Sequence, residues 1–384
     1  MYKIIFFAKG FPSAENPMAG NYEAVQAKAM ARLGNHVSYL LIKDWHSLLH
    51  IFDKRKVQRR VSDGIVIYEK ICMLPCLPFL PQSKKLNDWA EKRTYDRLYK
   101  AYLYDNGKPD ICHVHMVLCC KCAAFLKEKY GVPFVLTEHW SAVLEPTIDD
   151  AVRQLGIDYY SKANRIIAVS QALSNRLMEE FGENALVINN MVEDIFFQND
   201  THKKNGDGKY HFIAVGRLCD HKHFDLLIES FAQAGLPTNT VLDIVGEGER
   251  HEQLKTLIDK NKLNASVIMH GIKSSAEVAD MLASSDCYVL SSRLETFGIV
   301  LLEAMAMGLP VISTMCGGPN SFINENEGLL IPNNDHQAMS EALIYMRNNS
   351  EKYNAESIRQ YCFKQFREEV IAHKIMDVYK SVLK

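Results

Sequence analysis

The chain has 384 residues, 47% of them hydrophobic and 23% charged, with 44 Lys and Arg against 46 Asp and Glu. At ~100 to 200 residues per domain this length predicts two domains, each able to bury its own core. The composition excludes disordered and fibrous classes, and a formal charge of −2 argues against an overall nucleic-acid binder, so an anionic ligand has to meet a local site.

In chain order, the opening run Met1 to Lys9 is apolar, far shorter than a secretory core and bracketed by lysines, which predicts a first β-strand at Ile4 to Phe7. Further β-branched or aromatic runs follow at Val37 to Ile42, Ile65 to Tyr68, Ile111 to Val114, Phe134 to Thr137, Ile166 to Val169 and Leu186 to Ile188. Amphipathic segments such as Asn21 to Leu33 and Leu86 to Tyr104 lie between them. The alternation predicts an α/β fold with parallel strands and right-handed crossovers. Residues 198–209 are polar, contain glycine and lack periodicity, so they read as a linker. The pattern then restarts with strands at Phe212 to Val215, Val241 to Val245, Val267 to His270, Cys287 to Leu290 and Val311 to Ser313. Helical patterns from His336 onward close the chain with Glu368 to Leu383. The expected layout is an N-terminal Rossmann-like domain over 1–197, a linker over 198–209 and a C-terminal Rossmann-like domain over 210–365. A last helix over 366–384 is expected to pack back on the first domain. Two such domains facing each other place ligands at the carboxyl ends of both sheets, in the cleft between them.

Ten cysteines are scattered through a chain without an export signal, which predicts reduced thiols in a cytoplasm. The longest uncharged stretch, Ala304 to Asn324, is broken by Gly308, Pro310 and Gly317-Gly318-Pro319, so no membrane span is expected. The crowding of Cys112, His113 and His115 with Cys119, Cys120 and Cys122 imitates a zinc site. The two histidines alternate at the end of an apolar strand and the cysteines begin a helix, so packing and substrate contact are favoured and no metal or cofactor is expected. Lys54 to Arg60 is a basic run and Ile71 to Pro81 an apolar, proline-broken one. Two readings stand for this pair: peripheral contact with an anionic membrane at its inner face, or a solvated charge run beside a partly buried loop.

The most informative stretch runs from Ser291 to Ile312. A strand ends near Leu290, and a loop containing Gly298 opens an apolar helix whose first amides have no intrahelical acceptor. Gly298 lets backbone approach an anion, and the helix dipole adds positive potential there. Glu295 precedes the helix and Glu303 follows within it, so the two carboxylates can address different parts of one ligand. A lone Glu pair of this kind is more often a cap and a surface ion pair. In Ala214 to Asp225 a strand ends at Gly216, and Arg217 and Lys222 follow five residues apart. Together they can offset the charge of a departing diphosphate, although alone such a pair is more often surface charge.

Gly216-Arg217-Leu218 with Lys222, Val245 to Gly248, His270-Gly271 and the block from Glu295 through Glu303 to Val311 resemble the signatures of glycosyltransferase family 4. The resemblance continues upstream through Pro109 to His115, Thr137-Glu138-His139, Ala168 to Ser170 and Val187 to Asn190. It implies a GT-B fold and transfer of a sugar from a nucleoside-diphosphate donor to a glycan or lipid-linked acceptor, with retention of anomeric configuration. It further implies that Arg217 and Lys222 bind the pyrophosphate and that Glu303 holds the ribose. Glu295 and the amides after it, from Gly298 through Ile299, Val300 and Leu301, would contact the transferred sugar and phosphates. The base would rest near Gly271 and Ile272, His139 near the donor sugar, and Gly20 would let backbone pass close to the phosphates. Without the resemblance His139 would read as a core histidine. The chain departs from the family pattern at His223, where glycine is common, at Met191, where Asn-Gly is common, and at Asn320, where an acid often follows the glycine pair. Ala19-Gly20-Asn21 is also a thin form of the family's first glycine pair.

Three rivals remain open on sequence: a sugar-nucleotide epimerase of the same fold, a nicotinamide oxidoreductase, and a non-catalytic sugar-binding partner of another transferase. Epimerases lack this combination of Arg217, Lys222 and the Glu295 to Glu303 block. The oxidoreductase rests on Gly246-Glu247-Gly248 without a third glycine.

Overall fold

A computed structural model describes residues 1–12, 19–47, 56–75, 83–198 and 206–384. The chain divides into two compact units. The first comprises Met1–Val169, Ser174–Ile188 and Ala372–Lys384, and the second Ser170–Leu173 and Asn189–Ile371.

The first unit is built on an eight-stranded sheet in the order β3-β4-β2-β1-β5-β6-β7-β8. The strands are β1 (Lys3–Phe7), β2 (His36–Ser47), β3 (Gln58–Ser62), β4 (Ile65–Pro75), β5 (Ile111–His115), β6 (Phe134–Glu138), β7 (Arg165–Ala168) and β8 (Ala185–Val187). All neighbours run parallel except β3, which pairs antiparallel with β4. Helices such as Asn21–Arg32, Ser83–Asn106 and Cys120–Tyr130 supply the crossovers. Strands covered on both faces read as near-continuous apolar runs. That is why β5 and β6 are buried at every position, and why the polar residues they do contain, His113, His115, Thr137 and Glu138, are informative.

Part of the basic run lies in β3. Arg59 pairs with Asp105 at 3.6 Å, and the Arg60 guanidinium lies over the Phe11 ring at 5.5 Å. Lys54, Arg55 and Cys76 to Pro81 lie outside the described residues. Strand β3 escaped the sequence reading because two consecutive arginines mask its alternation. Among the described residues no helix is long and apolar enough to cross a membrane.

The second unit carries a six-stranded, wholly parallel sheet in the order β11-β10-β9-β12-β13-β14. Its strands are β9 (Tyr210–Val215), β10 (Thr240–Val245), β11 (Val267–Met269), β12 (Cys287–Leu290), β13 (Val311–Thr314) and β14 (Gly328–Ile331). Its core includes Phe212, Leu227, Leu242, Ile244, Val289, Ile312 and Leu343. Strand β14 was not expected from the sequence. It opens on Gly328, where a Cβ would fall 1.9 Å from the Val311 carbonyl oxygen, so close sheet pairing demands a residue that weakens the strand signal.

Of the stretch read as a linker, residues 199–205 lie outside the described residues, and Gln198 and Gly206–Lys209 belong to the second unit. The last helix, Glu368–Leu383, begins in the second unit and continues into the first from Ala372. In both sheets the strand order reverses once at the centre, between β1 and β5 and between β9 and β12. Loops that diverge from such a point leave a crevice at the carboxyl ends of the strands, where ligands of open α/β sheets bind.

Candidate functional site

In the second unit the loops after β9 and β12 flank this reversal. The loop after β9 begins at Gly216 and folds through a short 3-10 turn, Asp220–Lys222. A Cβ at Gly216 would touch Cδ and Cε of Lys222 at 3.7 Å, so the lysine stem runs back along the glycine. Lys222 Nζ lies 2.5 Å from Oε1 of Glu295, and Ser292 Oγ donates to the same oxygen at 2.7 Å. Burial alone would depress the Lys222 ammonium. The adjacent Glu295 carboxylate outweighs it and holds the pKa above the ordinary lysine value, so the side chain stays cationic.

Three glycine loops lock together beside it. Gly216 N–H donates to Val245 O, Leu218 N–H to Glu247 O and Gly246 N–H to Gly271 O, each at 2.9 Å. Gly246 has φ 136, and Gly248 packs so closely that a Cβ would fall 2.3 Å from Leu218 O. Across the reversal, Gly298 takes φ 86 and caps the helix Ile299–Ala306. Glu295 N–H donates to Cys316 O and Gly318 N–H to Glu295 O, both at 2.8 Å, so the Gly317-Gly318 loop clamps the backbone that presents Glu295. Burial, followed by the like charge of Glu193, pushes the half-buried Glu303 carboxyl up to about 8.

In the first unit the ends of β5 and β6 are organised by Glu138, which is wholly buried. Its Oε1 accepts from the amides of His139 and Trp140, and its Oε2 from Val117 N–H and the Tyr160 hydroxyl, all at 2.9 Å. Four donors compensate a buried carboxylate and fix the turn that carries His139. His139 Nε2 is 3.9 Å from Oε1 of Glu23, a buried acid in the first turn of Asn21–Arg32, and its ring lies 5.4 Å from that of His115. His113 is engaged at Nδ1 by the Tyr379 hydroxyl and at Nε2 by Thr137 Oγ1 at 2.7 Å. Burial and then His139 lower its pKa to about 3, so the ring is neutral. Gly20, at φ 65, sits where a Cβ would fall 2.2 Å from Gly10 O, so the fold itself requires a glycine there.

Residues 22–194 match the family profile described as Glycosyltransferase Family 4, and residues 196–376 that of Glycosyl transferases group 1. The chain belongs to glycosyltransferase family 4. It is 30% identical over 247 residues to an uncharacterised glycosyltransferase of Methanocaldococcus jannaschii, covering 63% of this chain and 66% of that one. A glycosyltransferase of Bacillus subtilis named for teichuronic acid biosynthesis, TuaC, is 26% identical over 360 residues, covering 89% of this chain and 88% of that one. Among solved structures, Anabaena HepE in complex with UDP and glucose superposes with a TM-score of 0.72 at 17% identity, covering 99% of this chain and all of the other. That likeness concerns the fold, which is GT-B.

Within this family 4 fold, Lys222 and Glu295 are in direct contact, with Gly216 and Ser292 beside them. Arg217 is not part of that cluster. Its side chain is 73% exposed and pairs with Glu249 at 3.1 Å. The amides of Ile299 and Val300 open the first helical turn, whereas Leu301 N–H already donates to Gly298 O at 3.1 Å. Gly271 is bound into the glycine loops through its carbonyl, and Ile272 beside it is 68% exposed. Sequence reasoning assigned no role to Glu138, Ser292 or Glu23. A carboxylate closing an otherwise apolar strand was the available signal for Glu138. Nothing local marks Ser292, because its partner is defined by a loop geometry.

Proposed function

We propose that this family 4 glycosyltransferase moves a sugar from a nucleoside-diphosphate sugar to a hydroxyl of a glycan or lipid-linked acceptor, with retention and without a metal ion. The observation that carries the reading is the Lys222, Glu295 and Ser292 cluster at the reversal of the second sheet. An ammonium already held beside a carboxylate is a preorganised cation for the diphosphate, while the carboxylate is an acceptor for sugar hydroxyls. Arg217 joins it by giving up Glu249, since an exposed single pair is worth little against a diphosphate. The helix-opening amides at Ile299 and Val300 supply further donors. Glu303 takes the ribose, Gly271 and Ile272 the base, and His139 the donor sugar, with Gly20 passing close to the phosphates. The nucleoside diphosphate departs on the face where the acceptor hydroxyl enters, and its phosphate takes the hydroxyl proton. No protein nucleophile is required, and positioning with electrostatic stabilisation carries the rate. The setting we propose is glycan or glycolipid assembly at the cytoplasmic side of a membrane, with contact at that surface only peripheral.

Incubation with UDP-, GDP- and ADP-sugars, with and without EDTA, tests the reading. One nucleotide class is expected to release its diphosphate equally in both conditions, with NMR of the product showing the donor's anomeric configuration. Release that needs added metal overturns metal independence, an inverted product overturns retention, and binding without any release favours a non-catalytic partner. A UDP-sugar is the first donor to try, because the HepE structure was solved with UDP.

Glu303 adds a pH dependence. Its carboxyl titrates near 8 in the folded chain against an ordinary value of 4.5, so the folded state holds a proton that the unfolded state has lost between those limits. The stabilising contribution is fully present below about 4.5, declines through that window and is lost above about 8. The melting temperature of the wild type is expected to fall relative to Glu303→Gln as pH rises from 5 to 9 in calorimetry. Parallel profiles for the two proteins would mean that Glu303 titrates normally.

A further inference from the structure

His223 departs from the glycine common in the family, and its backbone makes the departure costly. It lies at φ 53, ψ 41, in the left-handed region, where it caps the helix Phe224–Gln233. A side chain is disfavoured in that conformation. The chain nevertheless keeps an imidazole there and buries it to 4% exposure. Its Nε2 lies 2.9 Å from Nη2 of Arg293. A guanidinium can only donate, so the ring accepts at Nε2 and is neutral, with its proton on Nδ1. Burial keeps its pKa below the ordinary histidine value, with Asp225 opposing and Arg293 reinforcing the shift.

The two phosphate-side loops are joined by four links. Lys222 Nζ meets Glu295 at 2.5 Å, Ser291 Oγ donates to Lys222 O at 2.9 Å, Arg293 N–H donates to His221 O at 2.8 Å, and Arg293 Nη2 donates to His223 Nε2 at 2.9 Å. A diphosphate draws on the first of these, because Lys222 has to share its charge between Glu295 and the ligand. The other three are not ligand-directed. Arg293 is itself anchored by Asn333, whose Nδ2 donates to the Arg293 carbonyl at 2.7 Å.

We propose that His223 is a positioning residue: by accepting the Arg293 guanidinium it holds the Lys222 loop against the Ser291 to Glu295 loop while Lys222 engages the leaving diphosphate. The role explains why a strained histidine stands where glycine would be unstrained, and it rests on the donor-phosphate role proposed for Lys222.

His223→Gly relieves the backbone and removes the acceptor, so this variant is expected to fold. His223→Gln carries an amide oxygen that can replace Nε2. In steady-state assays His223→Gly is expected to lower kcat roughly 10-fold, since small misplacements of a catalytic group are costly, with little change in KM for the donor. His223→Gln is expected to recover most of the loss. A double-mutant cycle separates positioning from simple packing: in a Lys222→Ala background His223→Gly should have no further effect on kcat. Unchanged kcat in His223→Gly, or the same fold loss with and without Lys222, would overturn the positioning role alone. A wild type inert toward every donor would instead remove the donor-site reading on which it stands.

Discussion

Lys222→Ala is expected to retain its fold and lose turnover on the order of 100-fold or more, the scale seen when one preorganised donor is removed from a site of developing negative charge. The loss has two sources. The diphosphate forfeits a cation held at its binding loop by the Glu295 pair. Glu295 also loses its cationic partner, and only Ser292 is left donating to Oε1 among the described side chains. Lys222→Arg is expected to recover only part of the activity, because a planar fork does not occupy the space of a compact ammonium. Single-turnover rates with saturating donor, alongside calorimetry to confirm folding, make the measurement. Near-normal turnover in a folded Lys222→Ala protein would remove Lys222 from the mechanism.

The largest effect on stability is expected at Gly246. Its φ is 136, and a Cβ there would lie 1.9 Å from the Gly216 carbonyl oxygen. The backbone fixes the position of a Cβ and the carbonyl oxygen is itself main chain, so no rotamer change relieves the clash. Separation of the chains at this point breaks the end of the β9 and β10 register, where Val215 faces Val245, and pulls on the bond from Gly246 N–H to Gly271 O. Gly246→Ala is therefore expected to cost about 3 kcal/mol or more, counting overpacking together with backbone strain. That corresponds to a melting-temperature drop of roughly 6 to 12 °C for a unit of this size. Gly235→Ala is the control. It has φ 54 with nothing within 4 Å of the added carbon, so only the left-handed penalty of about 1 to 2 kcal/mol applies. If calorimetry found Gly246→Ala no more damaging than Gly235→Ala, the close approach of the two loops would not be what holds this region.

The legible parts of the chain were those whose signal is local. Continuous apolar runs marked β9 and β10 because parallel strands buried on both faces tolerate few polar side chains. The glycines at 246, 271 and 298 stood out because tight turns and close backbone approaches restrict those positions whatever the rest of the chain does. Strands β3 and β14 were hidden by paired arginines and by Gly328, where the needs of sheet pairing oppose intrinsic preference.

The α/β class, the order of most strands and helices, and the family were readable before folding, because periodicity and short motifs survive in one dimension. Tertiary structure alone decided partnerships. Lys222 meets Glu295 across 73 positions, His223 meets Arg293 across 70, and Glu138 gathers donors from the ends of three separate segments. It also turned Arg217 toward Glu249. Such contacts depend on where loops end after the sheets have paired, and a carboxylate or a cation looks the same in sequence whichever neighbour it will meet.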